Sequence, residues 1–371
     1  MHILILPSWY PTKENPISGS FFAEQARALA DYGHTVTVVP LHADAAHGAW
    51  IGEKREGNLT EYAVHYKKLP FHLTYVRILC SLREILQTKL RGNRPDIIHV
   101  HSFRAVRYAR ALKAIYRIPF VVTEHVSWFE RGMIGEKQLR SISADYARAD
   151  AVIAVSAGLK EQIQPLSPSE VIVVPNLVNE RFFTGGLHES AGREFRFISV
   201  GNLDKNKGMD LVLQAFAYAA AVCPEIRLTV CGQGKERDAL LRQAEELEIT
   251  DKVEFTGQVS RERCAELMRQ SQAFVLGSRV ETFGVVFVEA MACGLPIAMT
   301  ETGAWRELVD FRTGLAVPVE DAHALGGAMV QLVRNSADYD PAVIREYCRE
   351  RFSADSVCRR LTDIYQQVLE K

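Results

Sequence analysis

"DIIHVHSFRAVRYARALKAIYRIPFVVTEH", residues 96–125, is the stretch that decides the fold class. It begins and ends with short apolar runs, 96–101 and 119–125, which are rich in Val and Ile, as strands covered on both faces are. Between them, 103–117 has a helical pattern with a basic residue at every third position from Arg104 to Lys113. A strand, a helix and a second strand in this order predict a parallel βαβ unit.

The same alternation continues along the chain. In the first half, a helix is predicted at 20–33 and further strands at 2–6, 34–40, 151–156 and 171–176. In the second half, strands are predicted at 193–201, 226–232, 252–257, 273–278 and 296–300, and a long last helix at about 341–371.

A chain of 371 residues exceeds the usual size of one hydrophobic core, and the pattern breaks near 178–192. We therefore predict an α/β protein with two Rossmann-like domains that face each other across a cleft. The N-terminal domain covers 1–178 and the C-terminal domain covers 179–354. The last helix, about 355–371, is expected to pack back on the N-terminal domain. Ligands of such folds bind at the carboxyl ends of the strands.

Composition indicates a soluble globular protein, with 47% hydrophobic and 24% charged residues. The first apolar run, Ile3 to Leu6, is too short for a signal peptide or a membrane span. The seven cysteines are scattered and never spaced as C-x-x-C, which argues against a disulfide framework or a zinc site. We expect a cytoplasmic protein.

Charge is distributed unevenly. Residues 1–150 carry 20 Lys/Arg and 14 Asp/Glu, hence +6, and the remainder carries 24 and 31, hence −7. The segment 65–117 contains 12 basic residues and only two acidic ones, Glu84 and Asp96. This segment is either an ordinary solvated surface or an electropositive face for an anionic partner, such as a membrane surface or a phosphorylated lipid carrier. Nucleic acid is disfavoured, because no nucleic-acid motif accompanies the charge.

Two loops that follow predicted strands have the composition of phosphate sites. In "PISGSFFAEQ" (16–25), Gly19 lets the backbone bend, and the helix start offers amides to a phosphate. The alternative is a plain loop with Ser20 as helix cap. In "GNLDKNKG" (201–208), Lys205 and Lys207 can neutralise a pyrophosphate without a metal, although they can also be surface lysines. The G-x-G at 232–234 is not extended to G-x-G-x-x-G, so a dinucleotide oxidoreductase fits poorly.

Three acid or histidine side chains are candidates for the cleft. His125 follows a strand in "TEHVSW" (123–128) and is either a sugar or phosphate ligand or a structural histidine. Glu281 and Glu289 flank a helix start expected near 283–284 in "ETFGVVFVEAMACGLPI". Eight helical residues rise about 12 Å, whereas glycosidase carboxyl pairs lie about 5 Å or 6.5–9.5 Å apart. The spacing therefore favours two glutamates that each bind hydroxyl groups at a different part of one ligand, over an acid/base pair.

At these residues the sequence resembles the retaining GT-B glycosyltransferases of family 4. The E-x7-E signature from Glu281 to Glu289 is the most specific match. The segments "PDIIHVHS" (95–102), "VIVVPN" (171–176), the glycine loop 200–208, "FTGQVS" (255–260) and "TGAWRELV" (302–309) occur in the family's order. The resemblance covers essentially the whole chain and implies a GT-B fold.

The resemblance also implies roles for individual residues, all toward a nucleotide-sugar donor bound by the C-terminal domain. Glu281 would bind the hydroxyls of the sugar, Glu289 would bind the ribose, and Lys207 would neutralise the diphosphate. The backbone at Phe283, Gly284 and Val285 would contact the sugar and the diphosphate, and the backbone at Val259 would hold the base. Gly19 would let the first loop close over the diphosphate, and His125 would lie beside the transferring sugar. Asn202 stands where the family carries Arg, and Lys205 would supply the missing charge.

The implied reaction moves a hexose from a nucleoside diphosphate sugar, UDP-sugar being favoured, to an acceptor hydroxyl with retention. The N-terminal domain would hold the acceptor, a lipid-linked or cell-surface glycan intermediate, at the inner face of a membrane. No cofactor or essential metal is expected, because the only D-x-D, at 338–340, reads as a helix start before Pro341. The alternatives are a non-catalytic sugar-nucleotide-binding homologue, suggested by Asn202, and a nucleotide-sugar epimerase on the same fold.

Overall fold

The computed structural model describes residues 1–12, 15, 18–45, 48–70, 72–186 and 194–371. The chain divides into two units. Unit 1 comprises Met1–Val155, Leu159–Leu177 and Ala354–Lys371, and unit 2 comprises Ser156–Gly158 and Val178–Ser353. The boundaries predicted from the sequence, after residues 178 and 354, lie one residue from the two main divisions.

Unit 1 is built on a nine-stranded sheet with the order β3-β5-β2-β1-β6-β7-β8-β9, and β4 pairs with β5. The strands are β1 His2–Pro7, β2 Thr35–Val38, β3 Leu41–His42, β4 Ala49–Glu56, β5 Leu59–Tyr66, β6 Ile97–His101, β7 Phe120–Glu124, β8 Ala151–Ala154 and β9 Ile172–Val173. The strand predicted at 171–176 is therefore two residues long, and its Pro-Asn end does not join the ladder.

Within the described ranges, the hairpin of β4 and β5 is the one antiparallel pair, with Ala49 opposite Tyr66 and Glu56 opposite Leu59. It was not predicted from the sequence. Six of the eight β4 residues are exposed, so this strand lacks the continuous apolar run by which the buried parallel strands were recognised.

The helices of unit 1 are α1 Ser20–Asp31, α2 Leu73–Glu84, α3 Val106–Tyr116, α4 Glu136–Tyr146, α5 Ala157–Ile163, whose first two residues belong to unit 2, and α13 Ala354–Leu369. A π-helical turn, Ile85–Lys89, extends α2, and 3-10 turns lie at Phe103–Ala105 and Gln164–Leu166. The apolar face of α13, including Val357, Leu361 and Tyr365, is buried in one core cluster with Ile3 of β1 and Leu29 of α1.

The single last helix predicted at 341–371 is wrong. Two helices occupy this region, Pro341–Phe352 and Ala354–Leu369, because Ser353 adopts an extended backbone, with φ −63° and ψ 158°. None of the helices in the described residues combines the length and the apolar character needed to cross a membrane.

Unit 2 contains a six-stranded parallel sheet with the order β12-β11-β10-β13-β14-β15. Its strands are β10 Phe195–Val200, β11 Ile226–Cys231, β12 Val253–Gly257, β13 Ala273–Leu276, β14 Ile297–Thr300 and β15 Gly314–Val317. Its helices are α6 Met209–Val222, α7 Arg237–Glu246, α8 Arg261–Arg269, α9 Val285–Ala292, α10 Trp305–Leu308, α11 Ala322–Arg334 and α12 Pro341–Phe352, with 3-10 turns at Glu180–Phe182, Lys205–Lys207, Thr250–Lys252 and Ser336–Asp338. This strand order is that of a Rossmann fold. The prediction of two Rossmann-like α/β domains is confirmed.

Glycines let the loops at the carboxyl edge of the unit 2 sheet approach each other at backbone distance. Gly208, with φ 61°, lies so close to the end of β13 that a Cβ there would be 1.9 Å from the carbonyl oxygen of Gly277. A Cβ on Gly232 would likewise be 1.9 Å from the Gly201 carbonyl oxygen. Any larger residue at these positions must push two loops apart.

We expect Gly208→Ala to destabilise unit 2 by more than about 4 kcal/mol, because strain at a positive φ adds to a clash with rigid backbone. Gly257→Ala is the matched control: Gly257 also has a positive φ, 73°, but nothing lies within 4 Å of its Cβ position. That change should cost only about 1–2 kcal/mol. Urea unfolding measures both, and equal losses would contradict the packing role of Gly208.

Candidate functional site

The loop between β10 and α6 holds Lys207 in a fixed position. The Asp204 carboxylate caps a 3-10 turn, Lys205–Lys207, by accepting hydrogen bonds from the amides of Asn206 at 2.9 Å and Lys207 at 3.3 Å. Gly208 then turns the chain into α6 in the left-handed region. The backbone of Lys207 is consequently fixed by a capped turn before it and by a glycine turn after it.

Lys207 forms an ion pair with Glu281, the first acid of the E-x7-E signature. The Glu281 carboxylate also accepts a hydrogen bond from the Ser278 hydroxyl at 3.1 Å, and Glu281 is only 8% exposed. Both contacts involve Oε1. A nearly buried carboxylate needs such partners, because its desolvation is costly.

Helix α9 begins directly after Gly284, which has φ 83°, as the sequence analysis placed it. A Cβ at Gly284 would lie 2.6 Å from the Phe287 ring, so glycine is required by space as well as by backbone angle. Phe283 is 1% exposed and packs edge-on against Phe352. The amides at this helix start, from Val285 onward, carry the positive end of the helix dipole and form a preformed anion site.

Glu289, on α9, is paired with Arg261 at 2.6 Å and is 6% exposed. Arg261 is the first residue of α8, after the cap Ser260, whose hydroxyl accepts from the Arg263 amide. Val259 directly precedes that cap. The two signature acids therefore have different cationic partners on different elements. That they do not act as one acid/base pair stays a prediction.

Arg261 is the functional-site residue that sequence reasoning missed. A cation at the first position of a helix opposes the helix dipole. That unfavourable placement is the sequence feature from which Arg261 could have been identified. Its guanidinium is also held over the Phe182 ring, at 5.4 Å from the ring centre.

Asn202 and Lys205, the two residues concerned with the missing family arginine, are both exposed. The Lys205 ammonium has no carboxylate partner among the described residues. Arg279 lies nearby and donates to the Lys205 carbonyl oxygen at 2.7 Å, but it is engaged by Asp210 and Glu320 at 2.5–3.1 Å. Arg279 is thus engaged by carboxylates whereas Lys205 is not, and the replacement of the missing charge by Lys205 stays a prediction.

Gly19, in unit 1, is the N-cap of α1 with φ 74°, and a Cβ there would lie 2.9 Å from the Trp9 carbonyl oxygen. The alternative with Ser20 as cap is wrong, because Ser20 is the first helical residue. Residues 16 and 17 of the same loop motif lie outside the described residues.

His125 follows β7 in unit 1, is 7% exposed, and shares a hydrogen bond between its Nε2 and His101 Nδ1 at 3.0 Å. His101 lies 4.3 Å, between ring centres, from His99, whose Nδ1 shares a hydrogen bond with the Tyr365 hydroxyl at 2.6 Å and whose Nε2 shares one with Thr123 Oγ1 at 2.7 Å. Desolvation lowers the pKa of His99 and of His125 to about 3, and it lowers the pKa of His101 well below its usual value. We call His99, His101 and His125 the histidine stack; its rings are neutral at physiological pH.

Glu124, next to His125, is completely buried and does not face solvent. Its carboxylate accepts from the backbone amides of Phe103, His125 and Val126 at 2.8–3.1 Å and from the Tyr146 hydroxyl at 3.0 Å. Burial raises the pKa of this carboxyl. Glu124 therefore ties together the loops that follow β6 and β7, and its role is structural.

The D-x-D at 338–340 starts a helix, as predicted. The Asp340 carboxylate accepts from the Ala342 amide at 2.8 Å, and Pro341 is the first residue of α12. Across the described ranges, no three His, Cys, Asp or Glu side chains are grouped so that they could hold a metal ion.

Two protein-family models match consecutive parts of the chain. The family model described as "Glycosyltransferase Family 4" matches residues 18–182, and the model described as "Glycosyl transferases group 1" matches 187–351. The chain is 30% identical to N-acetyl-alpha-D-glucosaminyl L-malate synthase of Bacillus anthracis, over 74% of this chain and 75% of that protein.

The chain is also similar to a second curated protein and to a solved structure. The chain is 26% identical to a glycogen synthase of Mycobacterium tuberculosis over 71% of this chain, and it spans 66% of that relative's length. The solved structure of Anabaena HepE in complex with UDP superimposes with a TM-score of 0.77 at 17% identity, over 99% of this chain and 100% of that one.

The histidine stack predicts how stability depends on pH. Because the folded state lowers these pKa values below the usual 6.5, the unfolded chain binds protons more readily. Stability is therefore complete above about pH 6.5 and is lost as pH falls toward about 3, by at most about 1.4 kcal/mol per pH unit for each histidine. His99→Gln should make the loss between about pH 7 and pH 5 shallower, as measured by urea unfolding.

The matched control is His72→Gln, since His72 is exposed and outside the stack. That variant should keep the wild-type pH dependence. An unchanged slope in His99→Gln would contradict the neutral stack.

Proposed function

Because the chain belongs to the GT-B glycosyltransferases of family 4, we propose that it transfers a hexose, with retention, from a nucleoside diphosphate sugar to an acceptor hydroxyl. The observation that carries the proposal is the grouping of Lys207, Glu281 and the α9 helix start at one edge of the unit 2 sheet. This edge offers a cation, an acid and helix-end amides within one loop cluster, which suits a sugar joined to a diphosphate.

The leaving diphosphate gains charge as the sugar departs, so the groups that stabilise it lower the barrier. Lys207 and the α9 amides supply that stabilisation without a metal ion. A diphosphate carries more negative charge than the Glu281 carboxylate and can draw the Lys207 ammonium toward itself. The departing phosphate oxygen then serves as base for the incoming hydroxyl on the same face, which accounts for retention without a protein nucleophile.

The two signature acids divide the remaining recognition. Glu281, released in part from Lys207, binds hydroxyls of the transferring sugar, and Glu289 binds the ribose hydroxyls. Arg261 holds Glu289 in the ionised, correctly oriented form that accepts two hydroxyl hydrogen bonds. Gly19 and His125 belong to unit 1, and their assigned roles toward the donor are part of the proposal.

UDP is the favoured carrier nucleotide. Support comes from the similarity in fold to Anabaena HepE, a protein solved in complex with UDP and with UDP-glucose. The base would lie against the backbone at Val259, in the loop between β12 and α8.

For the acceptor, we propose a lipid-linked or cell-surface glycan intermediate, bound by unit 1 at the cytoplasmic face of a membrane. Leu73 and Val76, three residues apart on α2, are 46% and 44% exposed. Arg77 follows them and donates to the Gly48 carbonyl oxygen at 3.0 Å, and no carboxylate of the described residues pairs with it. Exposed apolar side chains beside cations suit an anionic membrane surface. Phe71, which precedes them, lies outside the described residues.

A non-catalytic sugar-nucleotide-binding protein is the second candidate, and Asn202 is the observation that favours it. The diphosphate loop has one cation fewer than the family pattern. If Lys205 does not replace that charge, the site binds donors but stabilises the leaving group poorly.

The decisive experiment is a thermal-shift screen of UDP-, GDP- and ADP-sugars, followed by a transfer or hydrolysis assay with the donor that stabilises the chain. Glu289→Gln should weaken nucleotide binding about tenfold, because a ribose hydrogen bond to a charged group is lost. Glu281→Gln should leave nucleotide affinity nearly unchanged and lower turnover about 10²-fold.

Glu246→Gln, an exposed acid on α7, is the control and should alter neither quantity. Binding without turnover in the wild-type chain would support the non-catalytic candidate. No binding of any donor would overturn the proposal, and equal losses of turnover with intact affinity in both Glu variants would restore the acid/base pair.

The membrane contact has its own test. Wild-type chain should bind vesicles that contain phosphatidylglycerol, and the Leu73→Ser/Val76→Ser double variant should bind at least about tenfold more weakly, because the apolar part of the contact is lost. Val343→Ser, which changes a 42% exposed side chain of unit 2, should bind like wild type. Equal binding by all three proteins in flotation assays would exclude α2 as the contact.

A further inference from the structure

Unit 1 contains a cavity that no part of the proposed transfer reaction uses. It has a volume of about 730 Å³, is open to solvent, and lies between α3, the start of α2 and the turn before β8. Its polar rim consists of Arg107, Arg110, Lys113, Arg148 and Asp150. Its apolar floor is formed by four alanines, namely Ala111, Ala114, Ala147 and Ala149, and Phe120 lies behind them with no exposed surface.

The rim keeps a positive charge after its internal ion pairs are formed. Arg110 pairs with Asp145, and Lys113 bonds both oxygens of Asp150 at 2.7 Å. Arg107 and Arg148 have no carboxylate partner within the described ranges. Four cations against two carboxylates therefore leave two guanidinium groups to be neutralised by a ligand or by salt.

Both elements that bear these guanidinium groups are held in place. Arg107 lies over the rings of Tyr75 and Tyr108, at 5.4 and 4.8 Å, and donates to the Tyr108 hydroxyl at 2.8 Å. The Arg148 carbonyl oxygen accepts from the Lys113 ammonium at 3.2 Å, which fixes the turn that carries Arg148. Guanidinium groups on fixed supports lose little entropy when they bind an oxyanion in bidentate fashion.

The cavity is separate from the loop that carries His125. Phe120 is the first residue of β7 and Asp150 directly precedes β8, so this part of the cavity lies at the amino ends of these strands. His125 follows the last residue of β7. Five strand residues span about 16 Å, so one ligand group cannot touch both places.

We propose that this cavity binds an anionic amphiphile, a phosphate ester joined to an apolar body. A phosphate monoester carries about −1.5 to −2 charges at neutral pH, which matches the two unneutralised arginines, whereas a single carboxylate would leave one of them unpaired. The four alanines offer the apolar body a surface without polar side-chain groups to desolvate. The volume lies within the range of about 300–1,000 Å³ found for small-molecule sites.

The probe is octyl phosphate at monomeric concentration, measured by titration calorimetry. It should bind at least about tenfold more tightly than inorganic phosphate, because only the ester fills the apolar floor, and octyl glucoside should not bind. Arg107→Gln and Arg148→Gln should each weaken octyl phosphate binding about tenfold. Arg131→Gln, an exposed arginine of unit 1 outside the cavity, removes the same charge and should have no effect.

Ala114→Leu narrows the floor from an exposed helix position and should weaken octyl phosphate but not inorganic phosphate. Vesicles that contain phosphatidic acid distinguish a lipid headgroup from a free ester: competition with octyl phosphate identifies the lipid as ligand, and its absence identifies the free ester.

Equal affinity for inorganic and octyl phosphate, or an equal loss in Arg131→Gln, would overturn the proposal. All variants should keep the wild-type melting temperature and nucleotide binding, so failure here is distinguishable from failure of the donor site.

Discussion

The contact of Gly208 with Gly277 is the constraint on which the unit 2 site depends. Two loops meet there at backbone distance, which a side chain at Gly208 would prevent. Lys207 directly precedes the first glycine, and Ser278 directly follows the second. Both side chains reach one carboxylate oxygen of Glu281 because the backbones that carry them touch. A small steric requirement thus determines where the charges of the site lie.

Charge pairing then divides the site into two parts. Glu281 and Glu289 are both nearly buried, and each is stabilised by its own cation, Lys207 or Arg261. Removing either cation would take away the ion pair that offsets much of the desolvation cost of its carboxylate. In the proposed reaction, the diphosphate and hydroxyl groups of the donor would replace these internal contacts with equivalent ones, and the amides at the helix start from Val285 onward would bind the phosphate between them.

Unit 1 also buries polar side chains, among them the histidine stack and Glu124. Its histidine stack stays neutral because burial makes the charged imidazolium unfavourable. Glu124, by contrast, is accommodated by three backbone amides and the Tyr146 hydroxyl. On the surface of α3, Arg110 and Lys113 are paired with Asp145 and Asp150, whereas Arg107 has no carboxylate partner among the described residues.

The sequence by itself determined the elements whose signals are local. Continuous apolar runs located most of the parallel strands, but not β3, β5 or β15, and the glycine before Val285 located the start of α9. Burial on both faces and special backbone angles are visible in a short window of sequence. It did not reveal β4, whose exposed residues pair only through the neighbouring strand, or the break at Ser353. Only the tertiary structure decided that Lys207 pairs with Glu281 and Arg261 with Glu289. These partners lie 74 and 28 residues apart in sequence, and parallel strand order, which no local pattern encodes, brings their loops to one edge.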